Sequence, residues 1–199
     1  MAETTAPPEL AASEWAFHFE TGRPCLNFVA TVGNRMGHAF DRWRDAAALA
    51  RWCIESGLLP APPAIRPRQL EQARTLREAI YRTIASVRAR RPPRAPDIEE
   101  INAWAARPAP APRLAPSGRA ATWVAGDPLE GVLAAIARDA IDLLSGPDLE
   151  RMRECAESSC SVLFVDASRP GRRRWCSMSR CGNKMKKAAF RRRHQRKVR

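Results

Sequence analysis

The sequence places four cysteines near its end in two pairs of equal spacing. Four residues separate Cys155 from Cys160 and Cys176 from Cys181, and fifteen residues separate the two pairs. Structural zinc sites have this organisation, because each short pair folds into a turn that directs two thiolates at one ion. Zinc prefers four soft ligands in a tetrahedron, so four cysteines satisfy it without an open position for catalysis. The spacing therefore predicts one structural Zn²⁺ held by these four cysteines.

Other chemistries of the cysteines remain as alternatives. An iron–sulfur cluster is one, although the spacing differs from the common ferredoxin patterns. A reactive nucleophile is another, because neighbouring arginines and lysines lower the pKa of a thiol. His194 is a candidate for a spare ligand, although four cysteines already fill the shell. His18 and His38 have no identifiable partner and are assigned to structural or exposed positions. Cys25 and Cys53 are expected to be small buried residues without chemistry.

The positive charge of the chain is confined to the region of the four cysteines. The net charge is +13, yet residues 1–150 contain 18 arginines, no lysine and 18 acidic residues. Residues 151–199 contain 16 arginines and lysines against three acidic residues, so they carry the whole excess. A neutral segment of 150 residues followed by a strongly basic C-terminal segment indicates that the C-terminal segment binds a polyanion.

The basic residues concentrate on a predicted helix over residues 184–197 and just before the second cysteine pair. The helix has a narrow apolar strip, so it cannot be buried deeply, and its like charges repel unless phosphates neutralise them. The candidate nucleic-acid contacts are Arg172, Arg173, Arg174, Lys184, Lys186, Lys187, Arg191, Arg192 and Arg193. One basic helix beside a zinc site fits the DNA major groove, and aromatic platforms for single-stranded bases are sparse. A solvated tail, or one that binds acidic membranes or proteins, is the alternative.

Helical periodicity dominates the first 150 residues. We predict helices between the cap Asp45 and Gly57, over residues 68–90, from the cap Asp97 onward, and between Asp127 and the Ser-Gly-Pro stop at 145–147. Residues 107–119 are rich in proline and alanine and are predicted as a loop without helix or strand, followed by a short strand at 121–124. The tryptophans are expected in the core, with a ligand pocket as the alternative; they are Trp15, Trp43, Trp52 and Trp104.

Between the two cysteine pairs, residues 162–166 are predicted as a strand, 167–173 as a turn and 173–176 as the return strand. The predicted fold class is therefore mainly α. A helical N-terminal domain precedes a small zinc-binding module that consists of a ligand pair, a β-hairpin, a second ligand pair and a helix.

The chain divides into three predicted segments. Residues 1–13 are a disordered leader, residues 14–148 the helical regulatory domain, and residues 149–199 the zinc module with its basic helix. No apolar run approaches the ~20 residues of a membrane helix, and the first residues lack the features of a secretory signal. We therefore expect a cytoplasmic, nucleoid-associated protein with no membrane partner, in a compartment where thiols stay reduced.

Residues 153–193 resemble the CGNR zinc finger, which is named for its Cys-Gly-Asn-Arg signature. The elements "LF-D-S", "RRWCSM" and "CGN-K" carry the resemblance. The segments "FETGRPCLNFVAT" (19–31) and "LREAIYR" (76–82) resemble the ABATE-type domain of putative stress-induced transcription regulators, which accompanies that finger. The resemblance covers nearly the whole chain and implies four cysteine zinc ligands and DNA binding. Lys184 replaces the signature arginine, so the charge is kept but the planar fork for a bidentate contact is lost.

These observations together predict a DNA-binding transcriptional regulator with a structural zinc module and a basic helix. One alternative is an RNA- or ribosome-associated zinc-binding protein. A second is an enzyme or small-molecule sensor with its site in the helical domain. Residues 14–150 offer no cluster of histidine, cysteine and carboxylate at useful spacing, so no catalytic activity is expected. One finger reads few base pairs of double-stranded DNA, so a homodimer or a protein partner is expected to supply specificity.

Overall fold

The N-terminal part of the chain is built from helices. The computed structural model describes residues 11–108, 111–124 and 126–197. Within them the helices are α1 (Pro24–Val29), α2 (Ala46–Glu55), α3 (Pro67–Arg88), α4 (Ala95–Ala105), α5 (Pro128–Ser145) and α6 (Asn183–Lys197). The mainly α fold class is thereby confirmed, as are the four helices predicted for the N-terminal domain. None of the described helices is both long and apolar enough to cross a membrane.

The described residues also form three two-stranded antiparallel sheets. They pair β1 (Val32–Gly33) with β2 (Phe40–Asp41), β3 (Ala111–Leu114) with β4 (Ala121–Val124), and β5 (Met152–Glu154) with β6 (Leu163–Val165). The strand predicted at 121–124 is confirmed as β4. The prediction that residues 107–119 contain no strand is wrong, because β3 lies there. Each strand of a two-stranded sheet is an edge strand, and proline is tolerated at an edge.

The starts of two helices depend on side-chain caps that the sequence predicts. The Asp45 carboxylate accepts a hydrogen bond from the Ala48 N–H at 2.7 Å, and the Asp127 carboxylate accepts one from the Leu129 N–H at 3.0 Å. Each bond satisfies an N–H that has no partner inside its helix, which stabilises the start by about 1 kcal/mol. After α2, Gly57 has a φ of +73°, a conformation that glycine adopts without steric cost.

An aromatic cluster fills the centre of the helical domain. Phe28, Trp43 and Trp52 are fully buried, and their ring centroids lie 5.0 to 5.8 Å apart in edge-to-face arrangements. Such pairs add to the free energy that the rings gain from burial. Trp104 is also buried, whereas Trp15 is half-buried. The prediction that the tryptophans belong to the core is therefore confirmed for all except Trp15.

Asp97 does not cap α4, in contrast to the sequence prediction. The cap position is Arg94, because Pro96 in the first turn lets the helix begin earlier. The Asp97 carboxylate instead accepts two hydrogen bonds from Arg82 of α3, at 3.0 Å from Nε and 2.5 Å from Nη2. These bonds favour the charged carboxylate and lower the pKa of Asp97 below its usual value. The ion pair therefore fixes α4 against α3.

The predicted strand at 162–166 is present as β6, but its partner differs from the prediction. It pairs with β5, which places Met152 opposite Val165, and residues 173–176 form no strand. Both Met152 and Val165 are buried in the core of the helical domain. In the segment 173–176, Trp175 and Cys176 pack instead in the smaller cluster around the cysteines. The first cysteine pair consequently lies in the loop of this hairpin.

The hairpin also joins the C-terminal module to the helical domain. Leu163 of β6 belongs to the same buried cluster as the helices, and the Val165 N–H donates to the Thr21 carbonyl at 2.8 Å. The boundary that the sequence predicts between residues 148 and 149 therefore separates two segments that share one hydrophobic core.

The predicted disordered leader is only partly covered by the structure. Residues 1–10 lie outside the described residues. Ala12–Glu14 form a 3₁₀ turn, and the Ser13 carbonyl accepts a hydrogen bond from Arg180 at 2.9 Å. The end of the segment therefore departs from the prediction, because a contact with a distant part of the chain holds it.

Replacing Asp97 with asparagine should lower the free energy of unfolding by about 1–3 kcal/mol at pH 7, because Arg82 loses its charged acceptor. A carboxylate with a lowered folded pKa stabilises the fold above its unfolded pKa of about 3.9 and loses that effect as the pH falls. The difference between wild type and Asp97→Asn in urea unfolding should therefore shrink below about pH 4.

The matched control is Glu99→Gln, since Glu99 is exposed on the same helix. It should leave the free energy of unfolding within about 0.5 kcal/mol of wild type. A loss in Asp97→Asn that does not change with pH would contradict the ion-pair explanation.

Candidate metal centre and nucleic-acid interface

Four cysteine sulfurs converge in the C-terminal module. Cys155 follows β5 and Cys160 precedes β6, so the hairpin loop presents the first pair. Cys176 precedes a π-helical turn, Met178–Gly182, that contains Cys181 and leads into α6. All four Sγ atoms lie within 4.8 Å of one another. The Sγ of Cys176 is 3.7 Å from that of Cys160 and 3.6 Å from that of Cys181.

Backbone hydrogen bonds hold the cysteine turns. The Cys160 N–H donates to the Glu157 carbonyl at 2.9 Å, and the Cys155 N–H donates to the Val162 carbonyl at 3.0 Å. The Cys176 N–H points at the Sγ of Cys155 at 3.4 Å. An N–H directed at a sulfur favours the thiolate form that a metal binds.

The four sulfurs fit a tetrahedral zinc ion. A Zn–S distance of about 2.3 Å places the sulfurs of a regular tetrahedron about 3.8 Å apart, close to the 3.6 and 3.7 Å between these sulfurs. Hydrogen bonds from neighbouring thiols, first that of Cys160, lower the pKa of Cys155, and the Cys155 sulfur in turn raises the pKa of Cys176. Four thiolates therefore coexist at this distance only around a cation. One structural Zn²⁺ satisfies both requirements.

The other two cysteines lie outside this cluster. Cys25 and Cys53 are completely buried. Burial raises the pKa of Cys53 to about 12 and raises that of Cys25 as well, so both remain protonated thiols at neutral pH. The prediction that they are small buried residues is confirmed.

Comparison with protein families identifies both parts of the chain. The model of the ABATE family, described as putative stress-induced transcription regulator, matches residues 22–147. The chain belongs to this family. The CGNR zinc finger model matches residues 151–194, which include all four clustered cysteines. A comparison with curated proteins gave no match. The predicted families and their order are confirmed.

Helix α6 of the zinc finger is exposed on most of its surface. Its exposed candidate contacts are Lys186, Lys187, Arg191, Arg192 and Arg193. Phe190 is 62% exposed, and its ring centroid lies 3.9 Å from that of His194. His194 therefore packs along the helix and does not join the metal centre. The helix presents charge, and one aromatic ring, to solvent.

The three arginines before the second cysteine pair are not equivalent. Arg172 and Arg174 are exposed, whereas Arg173 is half-buried. The Arg173 guanidinium donates to the carbonyls of Glu20, at 2.9 Å, and of Cys176. These bonds use the donors that a phosphate would need. Arg173 therefore ties the second cysteine turn to the helical domain, a role that its position in an arginine run does not reveal.

Lys184, at the position of the signature arginine, is engaged within the zinc finger. Its Nζ lies 2.9 Å from the Ser159 hydroxyl and 3.3 Å from the carboxylate of the buried Glu157. Lys184 thereby connects the first cysteine turn to the start of α6. Its side chain is still 56% exposed, so a phosphate can also reach it.

His18, which precedes the ABATE match, contacts both Arg42 of the ABATE domain and Arg180 of the zinc finger. The Nε2 of His18 lies 2.5 Å from Nη1 of Arg180 and 3.3 Å from Nη2 of Arg42. Burial, followed by the charges of Arg42 and Arg180, lowers the pKa of His18 to about 3. At neutral pH its imidazole is therefore an uncharged hydrogen-bond acceptor. The sequence analysis gave His18 no partner, because 162 positions separate it from Arg180.

Wild-type protein should contain one Zn²⁺ per chain, and Cys176→Ser should lose it and unfold the zinc finger. The loss of one thiolate leaves an incomplete ligand set, and structural zinc contributes on the order of 10 kcal/mol to such modules. Zinc content measured with a chromogenic chelator, together with thermal unfolding, checks this outcome.

Cys53→Ala is the control, because Cys53 is a buried cysteine outside the cluster. This variant should keep the zinc and lose only a little thermal stability. A Cys176→Ser protein that retains one equivalent of zinc and full stability would show that these cysteines are not the site.

Arg173→Gln should lower the free energy of unfolding of the zinc-loaded protein by about 2–3 kcal/mol, because its charged donors no longer satisfy the carbonyls of Glu20, Trp175 and Cys176. Arg172→Gln, one residue away and exposed, should be neutral for stability. Urea unfolding of both variants provides the measurement. Equal stability of the two variants would remove the structural role assigned to Arg173.

Proposed function

We propose that this protein is a DNA-binding transcription regulator in which the zinc finger presents α6 to the major groove. The observation that carries the proposal is a strongly basic helix, exposed on most of its surface, on a metal-stabilised module. The family of the N-terminal domain and the zinc finger match support a regulator. The closed shell of four thiolates offers no position for a substrate, so the proposal includes no catalytic role.

The dimensions of α6 support major-groove binding. Its 15 residues extend about 22 Å at 1.5 Å per residue. A helix with its side chains is about 10–12 Å wide, which matches the width of the groove. The exposed residues from Lys186 to Arg193 are distributed around the helix, so some reach base edges while others contact phosphates on both sides. Arginine is suited to bidentate contact with guanine.

Other exposed cations extend the proposed interface beyond the helix. Arg172 and Arg174 lie in the loop before the second cysteine turn, where they would contact the DNA backbone. Lys184 would add a phosphate contact as a point charge, since lysine lacks the fork that a bidentate base contact needs. The interface leaves out Arg173, because its guanidinium is bonded to backbone carbonyls.

The ABATE domain would supply regulation and assembly. A single helix reads only a few base pairs, so we propose a homodimer or a protein partner that doubles the recognised site. In this proposal residues 14–148 form the regulatory domain, residues 149–199 form the DNA-binding module, and the protein acts on the nucleoid in the cytoplasm.

Recognition of RNA is the alternative that the test must distinguish from DNA binding. Proteins that bind single-stranded RNA expose several aromatic rings on which the bases stack. In the described part of the zinc finger, Phe190 is exposed, Trp175 is half-buried and Phe164 is fully buried. A single exposed ring favours duplex DNA over a base-stacking platform.

Selection of bound fragments from a genomic DNA library by the zinc-loaded full-length protein tests the proposal. The selection is carried out at about 150 mM salt, because non-specific phosphate binding weakens steeply as the salt concentration rises. Structured RNA is present as a competitor. We expect a few shared sequences with paired half-sites. Recovery of no shared sequence, together with displacement of the DNA by RNA, would replace the proposal with the RNA alternative.

Arg192→Gln should weaken DNA binding and reduce the slope of log affinity against log salt by about one, because one phosphate contact disappears. Fluorescence anisotropy between about 50 and 200 mM salt measures the slope. Arg68→Gln, which removes an exposed arginine at the start of α3, is the control and should leave the slope unchanged. Equal slopes for wild type and Arg192→Gln would exclude this residue from the interface.

A further inference from the structure

A cavity of about 470 Å³ lies between the ABATE domain and the zinc finger. Glu14 and His18, which precede the ABATE match, line it together with Phe40 and Arg42 of the ABATE domain. The lining residues from the finger side include Val162, Arg180 and Lys187. Its volume is within the range of small-molecule sites, about 300–1,000 Å³. Trp43, Trp52 and Trp104, which the sequence offered as alternative pocket residues, are buried in the core, and the half-buried Trp15 packs against Phe40 with the ring centroids 5.3 Å apart. This cavity lies instead at the junction of the two domains.

Most charged groups of the cavity already have partners. Lys184 pairs with Glu157 at 3.3 Å. Arg42 donates to backbone carbonyls, including that of Ala30 at 2.9 Å, and Arg180 donates to that of Ser13 at 2.9 Å. Neutral carbonyls satisfy the donors of these guanidiniums but leave their two positive charges uncompensated.

The metal centre compensates those two charges. Zn²⁺ bound by four thiolates has two net negative charges, and Cys160 and Cys181 line the cavity together with Arg42 and Arg180. The two guanidiniums therefore balance the zinc thiolates.

Two opposite charges remain, one on each wall. Lys187 of α6 is exposed and Glu14 of the 3₁₀ turn is half-buried. Among the described residues, neither side chain has an ion pair, and the two are farther apart than ion-pair distance. The half-buried Phe40 supplies an apolar surface in the same cavity. An ammonium on one wall, a carboxylate on the other and an apolar patch match a small zwitterion with an apolar side chain.

We propose that this cavity binds a small amino-acid-like zwitterion, with its carboxylate on Lys187, its ammonium on Glu14 and its side chain against Phe40. Such a ligand bridges the ABATE domain and the first turns of α6. It also engages Lys187, which the DNA interface uses, so ligand and DNA binding are coupled. The coupling rests on the proposed function, whereas the binding site does not.

Isothermal titration calorimetry of the zinc-loaded full-length protein with L-valine, L-leucine and L-phenylalanine tests the site. We expect one of them to bind with one-to-one stoichiometry. Two analogues of leucine provide ligand controls: 4-methylpentanoate lacks the ammonium, and 3-methylbutylamine lacks the carboxylate. Each should bind at least about tenfold more weakly than leucine if leucine binds, because one charged contact is lost.

Matched variants locate the binding site. Lys187→Gln and Glu14→Gln should each weaken binding about tenfold. Lys186→Gln, which removes a neighbouring exposed lysine outside the cavity, should leave amino-acid binding unchanged. Failure of all three amino acids to bind would overturn the proposal, and so would equal binding by wild type and Lys187→Gln.

The same variants separate this proposal from the proposed function, since the calorimetry contains no DNA. Both lysine variants should weaken DNA binding if α6 contacts DNA, whereas only Lys187→Gln should weaken amino-acid binding. Amino-acid binding by a protein that does not bind DNA would support the cavity site and reject the DNA-binding function alone.

Discussion

Four thiolates within 4.8 Å of one another repel, and the cation at their centre makes their arrangement stable. The rest of the zinc finger depends on this ion. The buried cluster around the cysteines is small and consists of Ala30 from the helical domain and Cys155, Val162, Phe164, Cys176 and Cys181 from the zinc finger. Burial alone therefore stabilises the finger weakly. Helix α6 continues directly from the turn that contains Cys181. The metal therefore also fixes the position from which the basic helix extends.

The ABATE domain completes the support of the zinc finger. Hairpin β5–β6 packs into the helical core, while Arg173 and Arg180 bond to carbonyls of the N-terminal segment. His18 accepts from the guanidinium of Arg180 because burial keeps its imidazole neutral. The two family domains consequently share a packed junction. Arg180, which makes these contacts, lies in the turn that contains Cys181 and leads into α6.

The uneven charge of the chain has a structural explanation. Arginines of the ABATE domain pair with carboxylates from other elements, as Arg82 does with Asp97 of α4 and Arg77 with Asp41 of β2. In the zinc finger, two of the three carboxylates stabilise the module itself, since Glu157 pairs with Lys184 and Asp166 caps the following turn. The excess positive charge is left exposed around α6, where phosphates can neutralise it.

The sequence by itself determined the features whose partners are close along the chain. The Asp45 cap and the cysteine spacing are of this kind, because the bonded groups lie within one turn or one hairpin. The tertiary structure alone decided the pairing of Asp97 with Arg82, the partner of β6 and the role of Arg173. Each depends on a contact between distant segments, where local propensity leaves several conformations close in free energy. Packing between those segments selects one conformation, and the junction cavity is a product of that selection.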